Sequence, residues 1–151
     1  MSNDEKWMRI AIEEANLAMD KNEVPVGSAL VKNGKLIAQS HNQPIRTNDP
    51  TAHAEIQLLR KAGEQQKNYR LIWSTIYVTL EPCTMCFGAM VHARIERIVF
   101  GASDFKTGVC GSCINLNNEY FFNHKISITG GVLENESSEL LKLFFKSRRD
   151  N

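Results

Sequence analysis

Several features that would assign this chain to a special class are missing. No apolar run approaches the roughly 18 consecutive apolar residues of a membrane-spanning helix. The opening stretch MSNDEKWMRIAIEE places acidic residues early and lacks an apolar core of signal-peptide length, so a cytoplasmic protein with no membrane association is expected. Neither charge sign dominates: 18 basic against 17 acidic residues leave a formal charge of +1. That balance excludes a general basic field for nucleic acid, and any RNA partner has to be held by a local patch. Internal repeats, low-complexity tracts and linker-like stretches are also missing, which predicts a single domain over residues 1–151. Cysteine is scarce, with four in the chain. In a reducing compartment such cysteines are metal ligands, redox groups or buried thiols more often than disulfide partners, so their spacing carries the information.

What is present is an ordinary globular composition, 42% hydrophobic and 23% charged, in a chain long enough to bury a core. SNDEKWMRIAIEEANLAMDKN opens with capping and acidic residues and repeats Trp7, Ile10, Ala11, Ala15 and Ala18 at helical spacing, which predicts a first helix. In VGSALVKNGKLIAQSH, Asn33 and Gly34 between two apolar runs predict a tight antiparallel hairpin. After a polar loop, NQPIRTNDP, the segment TAHAEIQLLRKAG predicts a second helix with Gly63 as its C-cap. STIYVTL reads as a strand, EPCTMCFGAMVHARI as a helix started by Pro82, and RIVFGA as a further strand. That succession is a parallel crossover unit. SDFKTGVCGSCINLNNE reads as a loop with a short helical turn near its end, KISIT as a last strand, and ESSELLKLFFKSRRDN as a C-terminal helix with a basic end. The sum is an α/β fold of three layers, α/β/α: a mixed five-stranded sheet with helices on both faces. Ligands in open sheets of this kind gather where strands end and helices begin.

Both unusual motifs lie at helix beginnings. Cys83 and Cys86, three apart in EPCTMC, can aim both sulfurs at one spot while the helix N-terminus favours thiolates. That suits a metal or redox chemistry, and two buried small residues would give the same pattern. His53 and Glu55, two apart in DPTAHAEIQLL, read alone as a core histidine and a solvated carboxylate. Taken jointly with PCxxC they point to chemistry. One His and two Cys make a three-donor zinc site whose fourth position stays open for water, and a nearby carboxylate is then placed for general acid and base work.

HAE at 53–55 with PCTMC at 82–86 matches the HxE and PCxxC signature of zinc-dependent nucleobase deaminases. Within that cytidine-deaminase-like superfamily, the chain resembles the bacterial tRNA-specific adenosine deaminases. EVPVGSALV, HNQPI, DPTAHAEI, NYRLI, YVTLEPCTMCFGAMVHARIERIVFGASDFKTG, FNHKISITGGVL and LLKLFFKSRR carry the resemblance over nearly the whole length. It implies zinc, one per subunit, bound by His53, Cys83 and Cys86 with a water as fourth ligand. It also implies Glu55 as the proton-transferring residue, adenosine at the wobble position of a tRNA anticodon stem-loop as substrate, and inosine and ammonia as products. Asn42 matches the asparagine that hydrogen-bonds the target nucleotide, Asp104 and Lys106 a loop near it, and Lys146, Arg148 and Arg149 a basic helix meeting RNA backbone. A homodimer is implied as well.

Other readings stay open at this level. Asn42 also suits a turn beside Pro44, Asp104 and Lys106 an ordinary polar turn, and Arg148 and Arg149 a favourable helix end. Phe144 and Phe145, at helical spacing with Leu140 and Leu141, are expected in the core rather than as platforms for bases. HxE with PCxxC does not separate tRNA from a free base or nucleoside such as guanine, adenosine or cytidine. GVCGSC adds a second CxxC, Cys110 and Cys113, where the family has no ligands. A four-cysteine zinc ribbon would have residues 87–109 between its pairs, slightly more than the roughly 15–20 of the usual pattern, and would leave His53 and Glu55 idle. A thiol redox protein using Cys83 and Cys86 is a further alternative.

Overall fold

A computed structural model describes residues 3–149; the outermost residues of the 1–151 domain expectation lie outside that range. Helix α1 (Asn3–Asp20) leads into a hairpin, β1 (Gly27–Lys32) and β2 (Lys35–His41). Asn33 and Gly34 take positive φ at its turn, as the dipeptide requires. There follow the one-turn helix α2 (Pro44–Thr47), α3 (Ala54–Gln66), β3 (Ser74–Leu80), α4 (Thr84–Ala93), β4 (Arg97–Ala102), a 3-10 turn (Leu116–Asn118), β5 (Ser127–Thr129) and α5 (Glu134–Arg149). The five strands form one sheet in the order β2-β1-β3-β4-β5, with β1 antiparallel to both neighbours and β3, β4 and β5 parallel. The three-layer α/β/α expectation is met, with α1 and α5 on one face and α3 and α4 on the other.

Alternation along the strands builds the layers. Ala29, Val31, Tyr77 and Val99 face α1 through Met8 and Ala11. Leu30, Ile76, Val78 and Ile98 face Leu58 of α3 and Phe87 and Met90 of α4. Leu58, Phe87 and Met90 are fully buried. Each such side chain stabilises the fold by about 1.5–3 kcal/mol. Gly27 is fixed by close packing: a Cβ there would lie 1.9 Å from the Ala11 carbonyl oxygen of α1.

Several boundaries differ from the sequence reading. Gly63 is not the C-cap of α3; the helix runs on through Glu64, Gln65 and Gln66, good helix formers, and Lys67 takes the left-handed position instead. α4 begins at Thr84, leaving Pro82 in the preceding turn and Cys83 as the N-cap. The loop NQPIRTNDP contains α2, whose first residue, Pro44, is already set in φ for a helix start.

Candidate active site

Two helices begin side by side at the carboxyl end of the sheet, and both place a metal donor at the N-cap. His53 precedes α3 in extended conformation (φ −67°, ψ 157°) and its side chain makes no capping bond. The task falls to Asn42, whose Oδ1 accepts the Ala54 N–H at 2.7 Å. The imidazole is thereby left for other work. Cys83 precedes α4 in the same way (φ −86°, ψ 175°), also without a capping bond, and Cys86 follows in the first turn. Ser28 ties β1 to this region by donating its hydroxyl to the Ala54 carbonyl at 2.9 Å.

His53 Nδ1 lies 3.5 Å from Cys86 Sγ and 3.7 Å from Cys83 Sγ, and the three donor atoms are all within 4.8 Å of one another. With Zn–S near 2.3 Å and Zn–N near 2.0–2.1 Å, a tetrahedral site has N···S edges of roughly 3.6 Å, so the triangle fits zinc. Among the described residues this is the one group of three or more His, Cys, Asp and Glu side chains gathered for a metal. Three donors leave one tetrahedral position open, the arrangement of a catalytic rather than a structural site. The four-cysteine ribbon is excluded: Cys110, though buried in the same core, does not join the donor group, and Cys113 is exposed with its sulfur on the Phe105 carbonyl.

The charges agree with the geometry. A hydrogen bond from the Cys86 thiol, aided by His53, pulls the Cys83 thiol down to about 4. Cys86 shifts upward, because its proton bridges to the Cys83 thiolate and burial opposes a second charge. His53 is raised by the Cys83 sulfur. Glu55, in the first turn of α3 and 4% exposed, is pushed by burial up to about 7. It feels the charges of Cys83 and His53, which raise and lower it respectively. A buried carboxyl with its pKa near neutrality beside a thiolate–imidazole cluster is equipped to exchange protons.

Asn42 is half-buried beside His53, with its amide nitrogen free of the capping bond. Asp104 turns its carboxylate onto its own loop, accepting from the Lys106 and Thr107 amides and from the Thr107 hydroxyl at 2.8–3.1 Å. Lys106, Arg148 and Arg149 are brought together with Phe145 around a surface cavity of about 410 Å³. Arg148 also stacks on Phe144 at 4.8 Å and donates to the Asn22 carbonyl. Lys146 is exposed on the same helix. Phe144 is buried as expected, but Phe145 is 45% exposed, because adjacent helical positions point about 100° apart and only one of them meets the core. A depression of about 800 Å³ lies away from the donor cluster, along α3 and α4 between Ile56, Leu59, Tyr69 and His92.

One residue escaped the sequence reading. Glu81, 2% exposed, accepts four hydrogen bonds from residues 104–112. Its only sequence signal is a glutamate between a strand and a proline.

Residues 1–102 match the cytidine and deoxycytidylate deaminase zinc-binding region. The tRNA-specific adenosine deaminase of Haemophilus influenzae is 51% identical over 97% of this chain and 86% of its own length. That of Bacillus subtilis is 45% identical over 99% and 92%. A solved structure from work on A-to-I editing by tRNA:A34 deaminases superposes with a TM-score of 0.88 at 42% identity, over 90% of this chain and 99% of that one. A guanine deaminase from Nitrosomonas europaea, at 22% identity and a TM-score of 0.83, shares the fold. A zinc-fitting donor triangle in a chain so alike over its whole length leaves one assignment: the chain belongs to the zinc-binding cytidine and deoxycytidylate deaminase family, and within it to the tRNA-specific adenosine deaminases.

Proposed function

We propose that this protein is a hydrolase that deaminates adenosine to inosine at the wobble position of a tRNA anticodon, releasing ammonia. One observation carries the chemistry: a buried carboxyl, Glu55, stands against a His53–Cys83–Cys86 donor triangle of zinc dimensions. The near-full-length kinship supports tRNA as the substrate. His53, Cys83 and Cys86 would hold zinc, which would supply the Lewis acidity that makes hydroxide available near neutral pH. Glu55 takes one proton of the attacking water and passes it to the adenine ring nitrogen, then takes the proton of the new C6 hydroxyl and passes it to the amino group, which departs as ammonia as the C6 carbonyl forms. A cation beside Glu55 favours its carboxylate form, so the residue starts the cycle as a base. Asn42 donates its free amide N–H to the flipped-out nucleotide. Lys106, Arg148 and Arg149, gathered on one cavity, meet RNA phosphates, and Asp104 shapes the turn that presents Lys106.

The active form is a homodimer that works in the cytoplasm. The groove along α3 and α4 is its candidate face, since Ile56, Leu59 and Tyr69 lie there among Arg60, Glu64, Lys67 and His92, charges that can pair with a second copy. Light scattering on the eluted protein reads the mass directly; a monomer at working concentration removes the dimer.

The deciding experiment incubates zinc-loaded protein with tRNA carrying a wobble adenosine, and separately with free adenosine, cytidine and guanine, and reads inosine and ammonia. Inosine in the tRNA is expected. Turnover of a free base or nucleoside alone would move the protein to that substrate class. Glu55→Ala is expected to keep zinc and lose turnover; substantial remaining activity would refute the role given to Glu55.

A further inference from the structure

Glu81 is a buried carboxylate that is paired with no cation among the described residues, and it is saturated instead by neutral donors. Its Oε1 accepts the Asp104 N–H at 3.0 Å and the Ser112 hydroxyl. Its Oε2 accepts the Cys110 N–H at 2.8 Å and the Ser112 N–H at 3.1 Å. Every donor comes from one segment, residues 104–112. Burying a charge without a partner is expensive, and four charge-assisted hydrogen bonds are what make it tolerable here. The backbone on either side is fixed as well: the Glu81 N–H donates to Ala102 of β4 at 2.8 Å, and the Val109 N–H donates to the Pro82 carbonyl at 3.1 Å. Pro82 is the residue before Cys83. The same carboxylate therefore joins the turn carrying a proposed zinc ligand to the segment carrying Asp104 and Lys106.

The fit extends to Gly108. A Cβ at that position would lie 2.4 Å from Glu81 Cδ and 2.5 Å from the Asp104 carbonyl oxygen, so the segment closes over the carboxylate only with glycine there. From this point the order passes outward. Glu81 holds the Asp104 backbone, the Asp104 side chain holds the amides of Lys106 and Thr107, and Lys106 shares a cavity with Arg148 and Arg149.

We infer that Glu81 is a positioning residue that locks the 103–113 segment onto the Pro82–Cys83 turn, and so sets how tightly RNA is held rather than how fast the C–N bond breaks. The inference rests on the deaminase reading above and adds a residue to it. Glu81 touches neither substrate nor metal in this scheme; it acts through Asp104 and Lys106.

The test uses Glu81→Gln and, independently, Gly108→Ala in the zinc-loaded full-length protein. An amide nitrogen cannot accept, so glutamine leaves at least one backbone N–H of the segment unpaired in either orientation. Gly108→Ala pushes the segment away from the other side and serves if Glu81→Gln does not fold. Zinc content, amide hydrogen exchange at Asp104, Cys110 and Ser112, affinity for an anticodon stem-loop by fluorescence anisotropy, and kcat and KM on tRNA are read together. Full zinc, faster exchange at those amides, KM and Kd raised roughly tenfold or more and kcat within about threefold are expected. Faster exchange with unchanged Kd and KM would reduce Glu81 to a stability element and overturn the inference, as would a fall confined to kcat or a loss of zinc. A wild-type protein that binds the stem-loop without making inosine would sink the deaminase reading alone, because the exchange and Kd comparisons still judge Glu81.

Discussion

Two pairs of cysteines in this chain share one spacing and differ in what surrounds them. Cys83 and Cys86 bracket the first turn of α4, where the extended N-cap leaves the first sulfur free and the helix carries the second to the same point beside His53. Cys110 and Cys113 bracket a turn whose Gly111 has φ +132° and whose ends bond Gly111 N–H to Ile114 and Cys113 N–H to Gly108. The first pair is a low-pKa thiolate with a bridging thiol, while in the second Cys110 is pushed by burial up to about 12 and Cys113 faces solvent. Equal spacing thus yields a donor set in one place and two unrelated thiols in the other. The helix N-terminus and the third donor, thirty residues upstream in sequence, make the difference.

The contrast can be broken most severely at Cys83. Cys83→Ser should lose zinc by elemental analysis and lower inosine formation by at least about 10⁴-fold, because the water at the site then keeps a pKa far above neutrality. Stoichiometric zinc in that variant would remove Cys83 from the ligand set. Next comes Glu55, in the first turn of α3 beside His53. Its folded pKa of about 7 exceeds its ordinary 4.5, so its stabilising contribution to the metal-free fold is complete below about 4.5 and is lost as pH rises through about 7. Denaturation of metal-free wild type against Glu55→Gln should show wild type declining relative to the variant across that window, on the order of 3 kcal/mol in all. A flat difference would place the carboxyl in a wetter setting than its burial indicates.

Thiol chemistry sharpens the comparison without mutation. In the metal-free protein at pH 6–7, alkylation followed by peptide mass mapping should mark Cys83 first, Cys113 next, and the buried Cys110 and Cys86 last. The preference for Cys83 should fade as pH falls through about 4, where its thiolate takes up a proton. Zinc should protect Cys83 and leave Cys113 as reactive as before. The smallest effects belong to the second pair: Cys110→Ser should cost about 1–2 kcal/mol from an unpaired buried hydroxyl, and Cys113→Ser within about 0.5 kcal/mol, both with zinc retained. Loss of zinc from either would restore a metal role to that loop.

Most of the frame was legible because it rests on local signals. Asn33-Gly34 fixes the hairpin, the β-branched run 74–80 its strand, and the strand–helix–strand succession its parallel pairing. The end of α3 was not, since a glycine inside a helix and a glycine ending one look alike until the next turn is placed, and here Lys67 took the left-handed position. The metal donors and Glu55 stood out through joint spacing and resemblance. Glu81 did not, because its partners lie 23–31 residues away and its effect is made of backbone amides that any sequence would supply. Phe144 and Phe145 show the same limit at close range: periodicity put both near the core, and only packing decided which one entered.

The thirty-residue gap between His53 and Cys83 bears on how the molecule is made. A metal gripped at both positions is a cross-link closing the chain around α3 and β3, and like any staple it takes most from the freedom of the unfolded state. During synthesis the hairpin and α3 emerge before either cysteine of the pair exists to be paired with His53. Loading must therefore wait for α4, and a polypeptide paused between them carries an imidazole with no companions.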